Sequence, residues 1–296
     1  MTDDHRHPLL PAVLIVGVAA ISTAAILIKL CADAPAAVIA AARLGIASLV
    51  LLPGAAAIRG KRLFDLPRGA FGHLLLAGVF LAAHFLLWIS SLKHTSVVSS
   101  VVIVTANPIF VGAASLVLFR EWPGRRLLAA IAVAAVGGAL IALSDAGKGI
   151  GSLRGDALAL GGAVMASCYF LVGRKLRRDI HFLSYITPVY AVAAVILVAA
   201  ALATGHSFTG YAPATWLYFV LLAVVPQLIG HGSLNWSLRY MSATSLVLVV
   251  LGEPVGAGAL AYFLLDEPVT ALQVCGGGLI LAGVILAVVP NGARAA

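Results

Sequence analysis

Apolar residues run along this chain in long, almost unbroken stretches, with neither the alternation of a half-buried strand nor the one-sided stripe of a water-soluble helix. Ten stretches can be marked, at about 9–30, 35–58, 69–91, 96–119, 126–143, 156–173, 184–204, 214–238, 243–265 and 271–289. Each approaches the ~20 residues a helix needs to cross the hydrocarbon core of a bilayer. The connections are short, so successive helices must pack as antiparallel neighbours. The longest polar pieces are 59–68 and 145–154, and the second, glycine-rich, reads as a linker. The pattern predicts an all-α membrane protein with ten transmembrane helices.

The stretch 242–267 has an echo at 96–121. Asn107-Pro108 stands 146 positions before Glu253-Pro254, and at the same offset Ser96 meets Ser242, Ser99 meets Ser245, Glu121 meets Glu267 and Gly137 meets Gly283. The chain therefore reads as two copies of one unit, 1–146 and 147–296. Each unit holds five helices, an odd number, so the second copy enters the membrane upside down. Two inverted five-helix repeats are an architecture that many secondary transporters use, with the binding site near the midplane between the repeats.

Composition agrees. The 296 residues are 62% hydrophobic and only 10% charged, where soluble domains carry roughly 25% charged residues. The net charge of +8 is unevenly placed. With the N-terminus in the cytoplasm, the inner side holds Arg6, Arg59, Lys61, Arg62, Arg68, Arg120, Arg125, Arg126, Arg174, Lys175, Arg177, Arg178, Arg239 and Arg294. The outer side holds Lys29, Lys93, Lys148 and Arg154. This asymmetry puts both termini in the cytoplasm. It also accounts for the basic balance without a nucleic-acid partner. The first stretch imitates a secretory signal, with Arg6 before it and Ala32-Asp33-Ala34 after it. It is longer than the ~7–15 apolar residues of such a signal and more spans follow, so it reads as a retained helix. Cys31, Cys168 and Cys275 form no even framework and read as small apolar residues.

The polar residues inside the spans are the candidates for function. Glu253 is the one carboxylate well inside a span, at a cost of ~2.5–3.5 kcal/mol by insertion scales. Pro254 removes a backbone donor beside it and Pro108 does so in the echo, so each span is expected to kink there and serve as a gate. Glu253 reads as a proton or amine site, a protonated hydrogen-bonding group, or a fixed charge in a wet vestibule. His84 and Trp88 are four apart in the third span, and Gln227, His231 and Asn235 recur every four residues in the eighth. These stripes read as a cavity lining or as hydrogen bonds that join helices. Ser99 and Asn107 in the fourth span and Tyr169 in the sixth add candidate solute contacts. Arg43 lies two turns inside the second span and is expected to reach outward to the headgroups or to pair with Asp33, rather than to touch solute. Small residues at four-residue spacing, Gly162 with Ala166, Ala134 with Gly138 and Gly278 with Ala282, are expected to let helices approach closely. No phosphate-binding loop, zinc-protease pair or nucleophile elbow is present, so neither ATP hydrolysis nor a cofactor or metal is expected.

Ten helices, two repeats, Asn107-Pro108 followed by Phe119-Arg120-Glu121, and Gly252-Glu253-Pro254 followed by Asp266-Glu267-Pro268 together resemble the EamA-type branch of the drug/metabolite transporter superfamily. Ala42-Arg43-Leu44 is similar to that family's second helix. Within the branch the chain is similar to YddG-type amino-acid exporters. The resemblance implies an inner-membrane exporter of small metabolites, amino acids or toxic organic compounds, working by alternating access as a monomer or homodimer amid lipid. Two alternatives are a transporter of nucleotide sugars or other phosphorylated metabolites, which would want several basic residues inside the spans, and a membrane-embedded lipid-modifying enzyme, which would want a catalytic cluster.

Overall fold

The computed structural model describes residues 7–67, 69–119, 124–146, 153–266 and 270–288. Among them there are helices and connecting turns but no strand. The first apolar stretch is a rod interrupted once. Helices α1 (Leu10–Ser22) and α2 (Ala24–Leu30) meet at Thr23. There the Ser22 hydroxyl bonds back to the Val18 carbonyl and the Thr23 hydroxyl to that of Ala20, at 2.8 and 2.7 Å. Such back-bonding competes with the backbone ladder and loosens a helix locally. The second and third stretches are α3 (Ala36–Arg59) and α4 (Ala70–Ser91), joined by a 3-10 turn over Gly60–Phe64.

The fourth stretch is two half-helices, α5 (Val97–Val104) and α6 (Asn107–Phe119). Then come α7 (Arg125–Ala146), α8 (Leu153–Arg177) and α9 (Phe182–Ala203). The eighth stretch runs as α10 (Pro213–Leu222), a π-helical segment over Ala223–His231, and α11 (Gly232–Ser237). Pro226 lies inside the π segment, and its missing N–H is compatible with the wider i→i+5 turn. The ninth stretch is again two half-helices, α12 (Ala243–Val250) and α13 (Glu253–Leu265), and α14 (Ala271–Val288) closes the chain.

The two echoing stretches are thus broken, not kinked. Ser96 caps α5 by accepting from the Ser99 N–H, and Ser242 caps α12 by accepting from the Ser245 N–H, both at 3.0 Å. The serines that match across the repeat are this capping pair. Pro108 and Pro254 each stand second in a new helix. A first-turn position has no use for the N–H that proline lacks, so the break carries little cost.

Seven helices among the described residues are long and apolar enough to cross a membrane, and three shorter apolar stretches lie at Val97–Gly112, Leu128–Leu140 and Ala271–Gly283. Leu49, Ile58 and Phe263 are largely exposed on the outside of the bundle, as expected of side chains that meet lipid. The halves of the chain interdigitate. Helix α4 packs on α8 and α9, α3 on α9, α7 on α14, and α1 on the π segment, so the core lies between the halves.

Close approach comes from glycine, at positions only partly as expected. A Cβ on Gly137 would lie 2.5 Å from the Gly276 carbonyl oxygen, and one on Gly283 would lie 2.9 Å from that of Ala130. The matched pair Gly137 and Gly283 therefore sets the α7–α14 contact. Gly278 meets nothing within 4 Å, so the expectation placed on it is corrected, whereas a Cβ on Gly138 would be in ordinary contact with Val102 of α5 at 3.5 Å. Gly162 does face α4, where an added Cβ would lie 3.4 Å from the Trp88 backbone nitrogen.

Polar links between helix ends fall into two sets. In one, Lys29 Nζ donates to the Thr95 carbonyl (3.1 Å), Lys93 Nζ to that of Cys31 (3.0 Å) and the Thr215 hydroxyl to Asp33 (2.8 Å). In the other, Arg174 donates to the Leu238 carbonyl (3.1 Å), Arg177 to those of Asn235 (3.1 Å) and Ile180, and Lys175 approaches His73 at 3.0 Å. Lys93 and Thr95 of the first set directly follow the C-terminal end of α4, and His73 of the second lies in its first turn, so the sets lie at opposite ends of the bundle. The Thr215 hydroxyl and the Ala212 N–H hold the Asp33 carboxyl below the usual carboxylate range. Burial pushes the Lys93 ammonium below the ordinary lysine range. Arg6, Arg68, Arg120, Glu121, Lys148, Glu267, Pro268 and Arg294 lie outside the described residues, as does 147–152, where the two units were expected to join.

Candidate functional site

The two broken stretches meet at a small cavity of about 30 Å³. Helix α5 brings Val104, and the break after it brings Thr105 and Asn107. With its amide oriented by hydrogen bonding, Asn107 donates to the carbonyls of Thr105 (3.0 Å) and Val104 (2.9 Å). It thereby satisfies the end of α5, where helical partners run out. The other break brings Val250 and Glu253, the first residue of α13. Helix α4 adds His84 and Trp88, whose rings stack with centroids 6.0 Å apart. The His84 Nδ1 lies 2.9 Å from the Gly162 carbonyl oxygen. A carbonyl only accepts, so Nδ1 carries the hydrogen. The π segment adds His231, its ring 6.4 Å from that of His84 and edge-on to Phe85 at 5.2 Å. Ile21, Ala166, Phe170 and Leu234 complete the wall.

Five sequence candidates thus converge: His84, Trp88, Asn107, His231 and Glu253. The others stand apart from this lining. Ser99 is buried one turn inside α5, beneath the Ser96 cap. Tyr169 donates its hydroxyl to Asn235 Oδ1 at 2.7 Å, and Asn235 Nδ2 donates to the His231 carbonyl at 2.7 Å. Gln227 accepts from Arg43 Nε at 2.8 Å, and its carbonyl accepts from the Tyr190 hydroxyl at 3.3 Å. The four-residue stripe of the eighth stretch is real, but it faces α3, the cavity and α8 in turn as neighbours cross it. Pro254 is buried in the first turn of α13.

Pro108 lines a second cavity of about 280 Å³, apolar and built from α5, α6, α7, α8 and α14, with Leu251 at the end of α12. Two of its residues, Ile109 and Leu160, are about half exposed on the bundle surface. Thr105 borders both cavities, so the α5–α6 break is the partition between them.

The largest correction concerns Arg43. It neither reaches outward nor meets Asp33, whose oxygens accept from Thr215 and the Ala212 N–H. It is fully buried, bonded to Gln227, with its guanidinium 4.1 Å above the Phe85 ring. Eight residues into α3 it faces α9 and the π segment and cannot extend to a headgroup. One signal was present in the sequence: Gln227 is a hydrogen-bonding side chain in an apolar helix and needs a partner.

Comparison with known proteins agrees with this construction. A solved structure described as "Crystal structure of protein" superposes with a TM-score of 0.75 over 94% of this chain and 97% of its own length, at 17% identity, which speaks for the fold alone. The "Uncharacterized transporter YyaM" of Bacillus subtilis is 24% identical over 253 residues, 84% of this chain and 83% of that protein. An "Uncharacterized transporter" of Archaeoglobus fulgidus is 34% identical over 73 residues, a match that spans 25% of this chain and 27% of that protein. The pattern of the EamA-like transporter family matches twice, at residues 10–143 and again at 153–289, and the chain belongs to that family.

Proposed function

We propose that the chain is a secondary transporter that exports small organic metabolites, amino acids foremost, across a bacterial inner membrane by alternating access. The observation that carries this reading is the convergence of two broken spans on one polar cavity, with Asn107 opening one half-helix and Glu253 the other. In this reading the three shorter apolar stretches also cross the bilayer. That makes ten spans in two inverted five-helix units, 1–146 and 147–296, with both termini cytoplasmic. The twofold family match, the matched Ser96 and Ser242 caps and the uneven basic residues all support it.

A cavity of about 30 Å³ holds little more than a water, whereas sites for organic ligands occupy ~300–1,000 Å³. Transport then requires the cavity to widen, and the two sets of links at the bundle ends are the contacts to part. Releasing Lys29 and Lys93 from their carbonyl partners would open one end, and releasing Arg174 and Arg177 the other. His84, Trp88 and His231 then offer aromatic faces to the solute, while Tyr169, Gln227 and Asn235 hold the wall. The test is flux of labelled amino acids and organic cations into liposomes holding the purified protein. Saturable amino-acid flux absent from empty liposomes is expected. Flux confined to phosphorylated metabolites would overturn the substrate assignment, and turnover of bilayer lipid without solute flux would overturn transport itself.

A further inference from the structure

We infer that Arg43 is the carboxylate-recognition residue of the solute pathway and that the natural solute is a zwitterion, its carboxylate meeting Arg43 and its ammonium meeting Glu253. This rests on the reading that the cavity between the broken spans carries solute.

The argument begins from unmet hydrogen-bonding capacity. Arg43 is fully buried and uses Nε alone, on Gln227; among the described residues its Nη1 and Nη2 have no partner. A buried guanidinium left without an anion is strongly unfavourable, and such residues inside membrane spans pair or mark a pathway. The surroundings are rich in further unpartnered nitrogens: Gln227 Nε2, Trp88 Nε1 and His231 Nδ1 are all buried without a hydrogen-bond partner among the described residues. Three of these five nitrogens sit on Arg43 and the side chain bonded to it; the other two belong to residues that line the cavity. The group this arrangement lacks is an acceptor carrying negative charge.

Phe85 separates Arg43 from the present cavity. Its ring lies 4.1 Å under the guanidinium on one side and 5.2 Å from the His231 ring on the other, so the wall is one aromatic layer thick. Widening that cavity by a swing of the Phe85 ring would present the free edge of Arg43 to a solute. Glu253 lies within electrostatic reach of the same arginine and lines the cavity from the broken ninth stretch. A pathway with one cation and one carboxylate fits a dipolar solute of one charge of each sign. A phosphorylated solute would require further cations, and a simple organic cation would leave Arg43 repelling it.

The experiment measures flux of labelled phenylalanine and leucine against their decarboxylated amines, phenethylamine and isopentylamine, in proteoliposomes. Wild type, Arg43→Gln and Gln227→Glu are compared. Losing one charge-assisted contact is worth about tenfold or more. Wild type is expected to favour each amino acid over its amine, and Arg43→Gln to reduce that ratio about tenfold. Gln227→Glu keeps Arg43 but sets an internal carboxylate against it, and is expected to reduce the ratio similarly. It also keeps the test decisive if Arg43→Gln fails to fold. A wild-type ratio near one, or a ratio unchanged in a folded variant, would overturn the assignment of Arg43 while leaving transport intact. Absence of flux for all four compounds in wild type would overturn the amino-acid reading and this inference together.

Discussion

Tyr169→Phe separates a residue that holds the site from one that touches solute. The substitution deletes a single hydroxyl and keeps the ring, including its 5.3 Å contact with Phe170. What is lost is the 2.7 Å bond to Asn235 Oδ1, made where Tyr169 is 1% and Asn235 0% exposed. Bonds of this kind between membrane helices average about 0.6 kcal/mol and reach about 1.7. A buried acceptor stripped of its donor loses about 1–3 kcal/mol. Because no water can reach Asn235 Oδ1, the expected loss is about 1–2 kcal/mol, between these two scales. The assay is reversible unfolding in mixed detergent for wild type, Tyr169→Phe, Asn235→Leu and the double variant. The coupling between the two sites should be at least about 0.5 kcal/mol, as for residues in direct contact. The preference among transported solutes should stay as in wild type. Unchanged stability together with altered solute preference would refute the reasoning and make Tyr169 a solute contact.

Three further outcomes follow from the same structure. Gly137→Ala forces a Cβ against the Gly276 carbonyl and should cost about 1–3 kcal/mol by overpacking, whereas Gly278→Ala, with open space around it, should stay within about 0.5; equal effects in a detergent-unfolding series would contradict the α7–α14 contact. Glu253→Gln removes the cavity carboxylate assigned to the solute ammonium, so amino-acid flux should fall about tenfold or more; wild-type amino-acid flux in the folded variant would refute that assignment. A reporter active only in the periplasm, fused after Ala296, should remain silent, and strong activity would overturn the inverted-repeat topology.

Much of this architecture was legible because hydrophobic stretches and the 96–121 and 242–267 echo depend on local chemistry alone. Two serines before apolar runs and two prolines after a polar residue mark helix starts whatever packs around them. Reading those prolines as kinks underestimated them, since each turn also holds groups that finish the preceding half-helix, such as the Thr105 hydroxyl on the Val101 carbonyl at 2.7 Å. Arg43 was misread because the environment of a lone arginine depends on how its helix is rotated, which is fixed by contacts with α9 and the π segment far along the chain. The four-residue stripe located Gln227, His231 and Asn235 on one helix face. Which of them faces a cavity is decided by the helices crossing that face, and a single sequence carries no such information. Gly137 and Gly283 matched across the repeat, yet only the close approach of α7 to α14 explains why both are glycine.

The central claim is that solute passes through the cavity where the two broken spans meet. Its most direct test is amino-acid flux in proteoliposomes for Trp88→Ala and His231→Ala, each matched to wild type for folded, monodisperse protein. Both side chains line the cavity, and neither the Trp88 Nε1 nor the His231 Nδ1 has a hydrogen-bond partner among the described residues. The account predicts that both variants fold at wild-type yield and lose about tenfold or more of their flux, the equivalent of about 1.4 kcal/mol. Wild-type flux in both folded variants would contradict it and place the pathway elsewhere in the bundle.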